Sequence, residues 1–438
     1  MTADVSARRR QDIIEALRRG AVPMNGLDVL AVGLDRFTNA MDADLDRVAS
    51  GSSVFKAVRG EYGAGKTFFT RWLAERAKRR GFTVSEVQIS ETETPLHRME
   101  TVYRRLVEQL SAEQFPPSAL RPILDGWIFA LEEDVLADGS IDEEDADALD
   151  AAVGELLELR LAEISRNTPG FAAALRAYRT ANADGDYATA DGLAAWLGGQ
   201  PHVAASIRRY AGVKGDLDHF GAMSSLQGLL TVLRDSGHAG LLVVLDEVET
   251  LQRVRSDARD KALNALRQLV DDVYAGRFPG LYLVITGTPA FYDGQQGVQR
   301  LAPLAQRLAT DFGPDPRWDN PRATQIRLPG FTIDALVELG GKVTELYAAA
   351  YDCPRVTTVV DADYIAELAR AVTGKLGGQV GVAPRVFLKK LVSDVLDRVE
   401  QYDDWDPREH YALTLRSDEL TDIERNAATS ADDIDLQL

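Results

Sequence analysis

The stretch Gly60-Glu61-Tyr62-Gly63-Ala64-Gly65-Lys66-Thr67 limits the fold more than any other part of this sequence. It fits Gly-x4-Gly-Lys-Thr, the pattern of a loop that wraps phosphate. An apolar run, Val54 to Val58, leads into it as a strand. A helical run over 67–80 leads out and ends in Lys78, Arg79, Arg80 and Gly81, where a helix C-terminus favours cations and glycine. The mechanism needs that order. The glycines let backbone N–H groups turn inward, and the helix start adds positive potential. The Lys66 ammonium reaches the β- and γ-phosphates, and the Thr67 hydroxyl is a ligand for Mg²⁺. The spacing predicts an α/β fold in which Gly60, Glu61, Tyr62, Gly63, Ala64, Gly65, Lys66, Thr67 and Phe68 line a nucleotide, with ATP and Mg²⁺ as cofactors.

The second half of such a site is an acid at the end of a buried strand. Leu241 to Leu245 is an apolar run ending in Asp246-Glu247, short enough to read as a buried parallel strand. Asp246 is expected to hold Mg²⁺ through water and Glu247 to orient and deprotonate the attacking water. A surface strand cap is the plain alternative. A Glu directly after the Asp favours hydrolysis over binding alone. Leu281 to Ile285 is a further buried strand, ending in Thr286-Gly287-Thr288-Pro289; Thr288, with Thr286 as the other candidate, is expected to hydrogen-bond the γ-phosphate or its water. Pro384-Arg385 opens the last long helix, Pro fitting the first helical position. Arg385 would then point away from the apolar face of Phe387, Leu391, Val395 and Val399 and reach the γ-phosphate; an ordinary surface Arg is the alternative. Arg300 and Arg307 flank Leu301-Ala302-Pro303-Leu304. Either could be an arginine finger offered to a neighbouring copy of the chain, Arg307 being favoured because it is nearer the fifth strand, and a surface salt bridge is the competing reading.

The chain has 438 residues, so two or three domains are expected. Thr83 to Ile89 and Ala323 to Leu328 supply the other strands, giving a parallel five-stranded sheet. Residues 1–96 hold N-terminal helices (5–19 and 34–48) and the first part of the core. Residues 97–237 read as a large helical insertion, and 238–330 return to the core. Helices over 332–350, 361–373 and 384–400 form a C-terminal lid within 331–416. The acidic tail, 417–438, is expected to be disordered. Glu132 to Asp150 contains ten acids and no base, which fits a solvated helix-loop face.

Charge and composition exclude several classes. The formal net charge of −19 disfavours nucleic-acid binding over the whole surface, although a local basic patch can survive it. Arg104-Arg105 and Arg208-Arg209 are the basic spots of the insertion, read first as surface side chains. The single cysteine, Cys353, rules out a disulfide framework and argues against a Cys-based zinc site or a nucleophile. The five His show no metal-ligand spacing. Apolar runs are too short to cross a membrane, and the Arg-rich start lacks the apolar segment of a secretory signal. A cytoplasmic protein is expected. Leu376-Gly377-Gly378-Gln379 reads as a hinge before the last helix.

Strand, phosphate loop and helix, then Asp-Glu strand, Thr-ended strand, final strand and three-helix lid, together resemble the AAA+ class of P-loop NTPases, in particular its initiator and helicase-loader branch. Gly33-Leu34-Asp35-Arg36 lies where such proteins carry an adenine-side motif. A closer resemblance covers most of the chain. Ile13-Ile14-Glu15-Ala16-Leu17-Arg18-Arg19-Gly20 with Pro23, Gly60 to Phe69, Leu245-Asp246-Glu247-Val248-Glu249-Thr250-Leu251 and Gly287-Thr288-Pro289-Ala290-Phe291-Tyr292 are similar to the ATP-binding proteins of BREX phage-defence systems. The resemblance implies antiviral defence, ATP hydrolysis, and a partner that is a helicase or another defence protein. Too few residues follow position 400 for the winged-helix module of initiators, so DNA contact would be indirect or through a local patch.

These readings make the chain a Mg²⁺-dependent ATPase that loads or remodels a helicase–DNA complex, with assembly into a homo-oligomer if an Arg acts in trans. A non-hydrolysing ATP-dependent switch or scaffold is the alternative. A P-loop kinase is disfavoured by the Asp-Glu strand and the lid.

Overall fold

The structure is a computed structural model that describes residues 5–137, 145–376, 384–415 and 420. Residues 138–144 of the acid run, the Gly377-Gly378-Gln379 part of the expected hinge, and the tail over 417–438 apart from Leu420 lie outside the described residues.

Along the chain, α1 (Ala7–Arg18), α2 (Leu27–Leu30) and α3 (Asp35–Ala49) precede β1 (Val54–Arg59), α4 (Lys66–Lys78) and β2 (Thr83–Gln88). Residues 97–237 hold the helices α5 (Met99–Glu108), α6 (Leu120–Ala137), α7 (Ala146–Asn167), α8 (Pro169–Ala183), α9 (Tyr187–Leu197), α10 (Ala205–Tyr210) and α11 (His219–Asp235). Then come β3 (Leu241–Asp246), α12 (Ser256–Tyr274), β4 (Leu281–Gly287), α13 (Pro289–Asp293), α14 (Ala302–Leu308) and β5 (Gln325–Arg327). The C-terminal helices are α15 (Ile333–Tyr351), α16 (Arg355–Val359), α17 (Ala362–Lys375), α18 (Pro384–Lys389), α19 (Asp397–Gln401) and α20 (Pro407–His410). Among the described residues no helix is long and apolar enough to cross a membrane.

The five strands form one sheet in the order β2-β3-β4-β1-β5. β2 runs parallel to β3, from Thr83 opposite Leu241 to Gln88 opposite Asp246, and β3 runs parallel to β4. Leu241 to Leu245 and the whole of β4 are buried. Burial on both faces is why these strands are unbroken apolar runs rather than alternating ones.

The chain divides into two compact units, Met1–Met41 with Val58–Glu75 and Asp311–Leu438, and Asp42–Ala57 with Arg76–Thr310. In the first, Ile13, Ile14 and Leu17 of α1 share an apolar cluster with Leu336 and Val343 of α15, Val372 of α17 and Phe387 of α18. Arg18 reinforces this packing. Its Nε and Nη2 donate to the two carboxylate oxygens of Asp397, each at 2.8 Å, and the Tyr347 hydroxyl donates to the same carboxylate. Glu75 of α4 accepts the N–H groups of Gly26 and Leu27, both at 2.8 Å, and so fixes the start of α2. The last long helix departs from regular winding, with a π-helical stretch over Lys390–Leu396 between α18 and α19. The wider turn brings Lys390, Leu391 and Val392 all inside, with Lys390 paired to Asp394 at 3.1 Å.

In the second unit, Lys56 of β1 is buried and paired with Asp44 of α3 at 3.0 Å, and the Tyr282 hydroxyl of β4 donates to the same carboxylate. The helices of residues 97–237 share one apolar cluster with β3, β4 and α12, and within it Tyr103 donates to the Leu197 carbonyl and Trp127 to Asp235. Asp134 on α6 and Asp150 on α7 are exposed and pair with Arg160 and Arg179, so these members of the acid run do form a solvated face.

Candidate functional site

The phosphate loop lies between β1 and α4. Gly63 and Gly65 hold φ of +80° and +84°, the left-handed region in which only glycine is unstrained. A Cβ on Gly60 would stand 3.1 Å from the Ala64 Cβ, a tight approach that favours glycine there. The Ala64 N–H donates to the Glu61 carbonyl and the Phe69 N–H to the Gly65 carbonyl, closing the loop onto the first turn of α4. The Lys66 ammonium is buried, donates to the Gly60 carbonyl at 2.9 Å and to the Glu61 carbonyl at 3.3 Å, and stands 5.0 Å from the centre of the Tyr62 ring. Glu61 and Gly63 are exposed, while Tyr62, Gly65 and Thr67 are half-buried. Phe68 packs against the apolar cluster of α1 and the C-terminal helices. The loop and the N-terminus of a 13-residue helix make a cradle suited to phosphate.

Arg385 belongs to the same unit. It is half-buried at the start of α18, whereas Phe387, Leu391, Val395 and Val399 are buried, so it does leave the apolar face. Its guanidinium lies against Gly20, just past the end of α1, where an added Cβ would be 3.3 Å from Nη1.

The acid half belongs to the second unit. Asp246 ends β3, and Glu247 follows with φ +60° and ψ +40°, a left-handed conformation unusual for a residue with a side chain. Several bonds hold it there. The Glu247 N–H donates to Asp246 Oδ1 at 3.0 Å and to Thr286 Oγ1 at 3.2 Å, and its carbonyl accepts the Thr250 N–H and hydroxyl. The Thr286 hydroxyl donates to Asp246. Gln88, at the end of β2 and opposite Asp246 in the register, donates its side-chain amide to the Glu247 carboxylate at 2.9 Å. Beyond the acids, buried Arg259 donates to the carbonyls of Leu251, Gln252 and Val254 and fixes the turn into α12. Asp246, Glu247, Thr286 and Gln88 are thus brought together. Thr288 is also buried but caps α13, without a side-chain bond to that helix.

Arg300 and Arg307 are both engaged within the chain. Arg300 forks onto Asp260 of α12, and Arg307 pairs with Asp271 of the same helix. Sequence reasoning missed Gln88 and Arg259. Gln88 ends a strand with no acidic or glycine signature, and only the strand register places it beside Glu247.

A parallel sheet whose first strand feeds a phosphate loop, whose third ends in Asp-Glu and whose fourth ends in a buried Thr defines an AAA+-like P-loop nucleotide-binding protein. Comparison with known families makes this particular: residues 5–415 match the family described as BREX system ATP-binding protein BrxC/D, and the chain belongs to it. No curated protein matches the chain. Among solved structures, it is similar to the ORC2 protein of Aeropyrum pernix in ADPNP–ADP complexes, with 13% identity over 86% of this chain and 70% of that one and a TM-score of 0.33.

Proposed function

We propose that the chain is a Mg²⁺-dependent ATPase of a bacterial BREX defence system, the BrxD member of its family, acting in the cytoplasm to load or remodel a partner helicase–DNA complex. The observation that carries hydrolysis is the Glu247 carboxylate, held by Gln88 next to an Asp246 that Thr286 and the Glu247 N–H fix in place. An acid fixed in this way is suited to orienting water, a task that mere nucleotide binding does not need. Lys66 and the loop N–H groups would bind the phosphates, and Thr67 and Asp246 are the residues that would hold Mg²⁺, whose charge would offset that of the phosphates. Glu247 takes the proton of the attacking water, Thr288 or Thr286 hydrogen-bonds the γ-phosphate side, and Arg385 contacts the γ-phosphate. A finger in trans would have to come from Arg307 or Arg300 by exchange of its present partner.

Those in-chain ion pairs favour one second reading, a switch that binds ATP with negligible turnover. Steady-state hydrolysis by the purified protein, alone and with DNA, separates the two. Lys66→Ala should abolish ATP binding. Glu247→Gln should bind ATP while losing at least about 100-fold in turnover, in line with the loss of a general base. Wild-type turnover in Glu247→Gln would refute the role of Glu247, and tight ATP binding without turnover under any condition would favour the switch.

A further inference from the structure

Outside the phosphate loop and the acid strand, a cleft of about 390 Å³ lies between α12, the start of α11 and the loop joining β2 to α5. It is lined by His97, His219, Lys261, Asn264, Arg267 and Gln268. Lys261, Asn264 and Gln268 recur at three and four residues and so form one stripe along α12. Lys261 and Asn264 are exposed. The acid in the lining, Asp260, is already claimed by the Arg300 guanidinium. Arg267 shares its partner Asp271 with Arg307, so one carboxylate serves two guanidinium groups. The cleft therefore keeps a local excess of positive charge on a chain whose net charge is −19. The His97 imidazole reports the same field. Burial pushes it below its ordinary value, and the charges of Arg98 and Lys261 push it further, against weaker opposition from Glu100 and Asp257. Next to His219 on α11, Phe220 is 73% exposed and meets the His219 ring edge-on at 5.3 Å. A large aromatic side chain left in water beside a cationic cleft adds nothing to the core and offers a stacking face.

Cations for phosphate, aromatic faces for bases and two side-chain amides for base edges are the chemistry of single-strand recognition. The cleft is at the small end for ligand sites, and a base paired inside a duplex could not turn its face to His219 or Phe220. We infer that this cleft binds single-stranded nucleic acid, one nucleotide of which rests its phosphate on Lys261 and Arg267 and its base against His219 and Phe220. The site is separate from the ATP-binding elements, and the inference stands whether or not ATP is hydrolysed.

The test is fluorescence anisotropy of a labelled oligothymidylate with the full-length protein, without ATP, across a salt series. Lys261→Ala should weaken binding about threefold to tenfold and reduce the salt slope by about one. His219→Ala should weaken it about tenfold, as expected for one lost stacking contact, and His219→Phe should retain binding. Arg209→Ala, on α10, should leave affinity unchanged. A wild-type protein that does not bind the oligonucleotide overturns the inference. So does unchanged binding in Lys261→Ala and His219→Ala, or tighter binding of the duplex. Competition by AMP or inorganic phosphate as effective as by the unlabelled strand would assign the cleft to a free small phosphate ligand and equally overturn it. Circular dichroism checks that each variant is folded.

Discussion

Thr286 is fully buried, and its hydroxyl works in two directions, donating to Asp246 and accepting from the Glu247 N–H. It therefore sets the angle of both acids without being one of them. Thr286→Val keeps the volume and removes both bonds. If Asp246 holds the metal as proposed, turnover should fall about 10- to 100-fold, the usual effect of losing a group that orients a metal ligand. ATP affinity measured without Mg²⁺ should not change, because the phosphate loop is untouched. Thr288→Val should have a smaller effect on turnover; if it had the larger one, Thr288 would be the polar residue that matters. The loop residues and the acids were legible in the sequence because their chemistry demands fixed types at fixed spacing. Choosing between Thr286 and Thr288 was not, because both follow the same strand and only tertiary contact shows which hydroxyl meets Asp246. Gln88 was illegible for a similar reason: a strand-end glutamine acquires meaning from its neighbour across the register.

At the scale of elements, apolar runs marked the five strands and the long helices outside 97–237 to within a few residues, whereas residues 97–237 were legible only as a helical block. Two features escaped. β5 is shorter than the run Ala323 to Leu328, and the last long helix carries the π-helical turn around Lys390. A lysine at the edge of an apolar stripe gives no warning of a register shift, since its long stem can be buried while its ammonium pairs with Asp394. The seating of α1 was also hidden, because its partners on α15, α17 and α18 lie more than 300 residues away in sequence. That seating can be tested through Asp397. Asp397→Ala would leave the half-buried Arg18 guanidinium without its bidentate partner, a cost of about 2 kcal/mol, below the range for a fully buried pair. Proteolytic cleavage near α1 should become faster. Replacing Arg18 and Asp397 together by Leu should restore much of the protection, because the only charged partner left over would be the exposed Glu15 carboxylate, which water solvates. If the double variant were as sensitive as Asp397→Ala, packing rather than the ion pair would hold α1.

On the scale of the whole molecule, net charge and local chemistry diverge. The acidic total argued against broad nucleic-acid binding, while arginines engage Asp260 and Asp271 of α12 and leave the nearby cleft cationic. The same burial and cations make stability depend on pH. His238, half-buried between α11 and β3, is pushed below the ordinary imidazole value by burial, with a weaker opposing bond to the Gly81 backbone. His97 is pushed the same way by burial, Arg98 and Lys261. In the unfolded chain both should titrate near pH 6.5. Below that value and above the folded ones, the unfolded chain binds more protons, so unfolding becomes easier as pH falls. The contribution is fully present above about pH 6.5 and is lost as pH drops through the lower folded values. Carboxylates held low by arginine, such as Asp42 beside Arg76, add a separate loss at more acidic pH. Thermal unfolding should therefore move to lower temperature between about pH 7.5 and pH 5.5, a window in which ordinary carboxylates stay ionised. In His97→Gln/His238→Gln most of that movement should vanish, because the side chains that take up protons on unfolding are gone. If the wild-type midpoint were flat across the window, or if the double variant fell as steeply, these two histidines would not be the groups that couple protonation to folding.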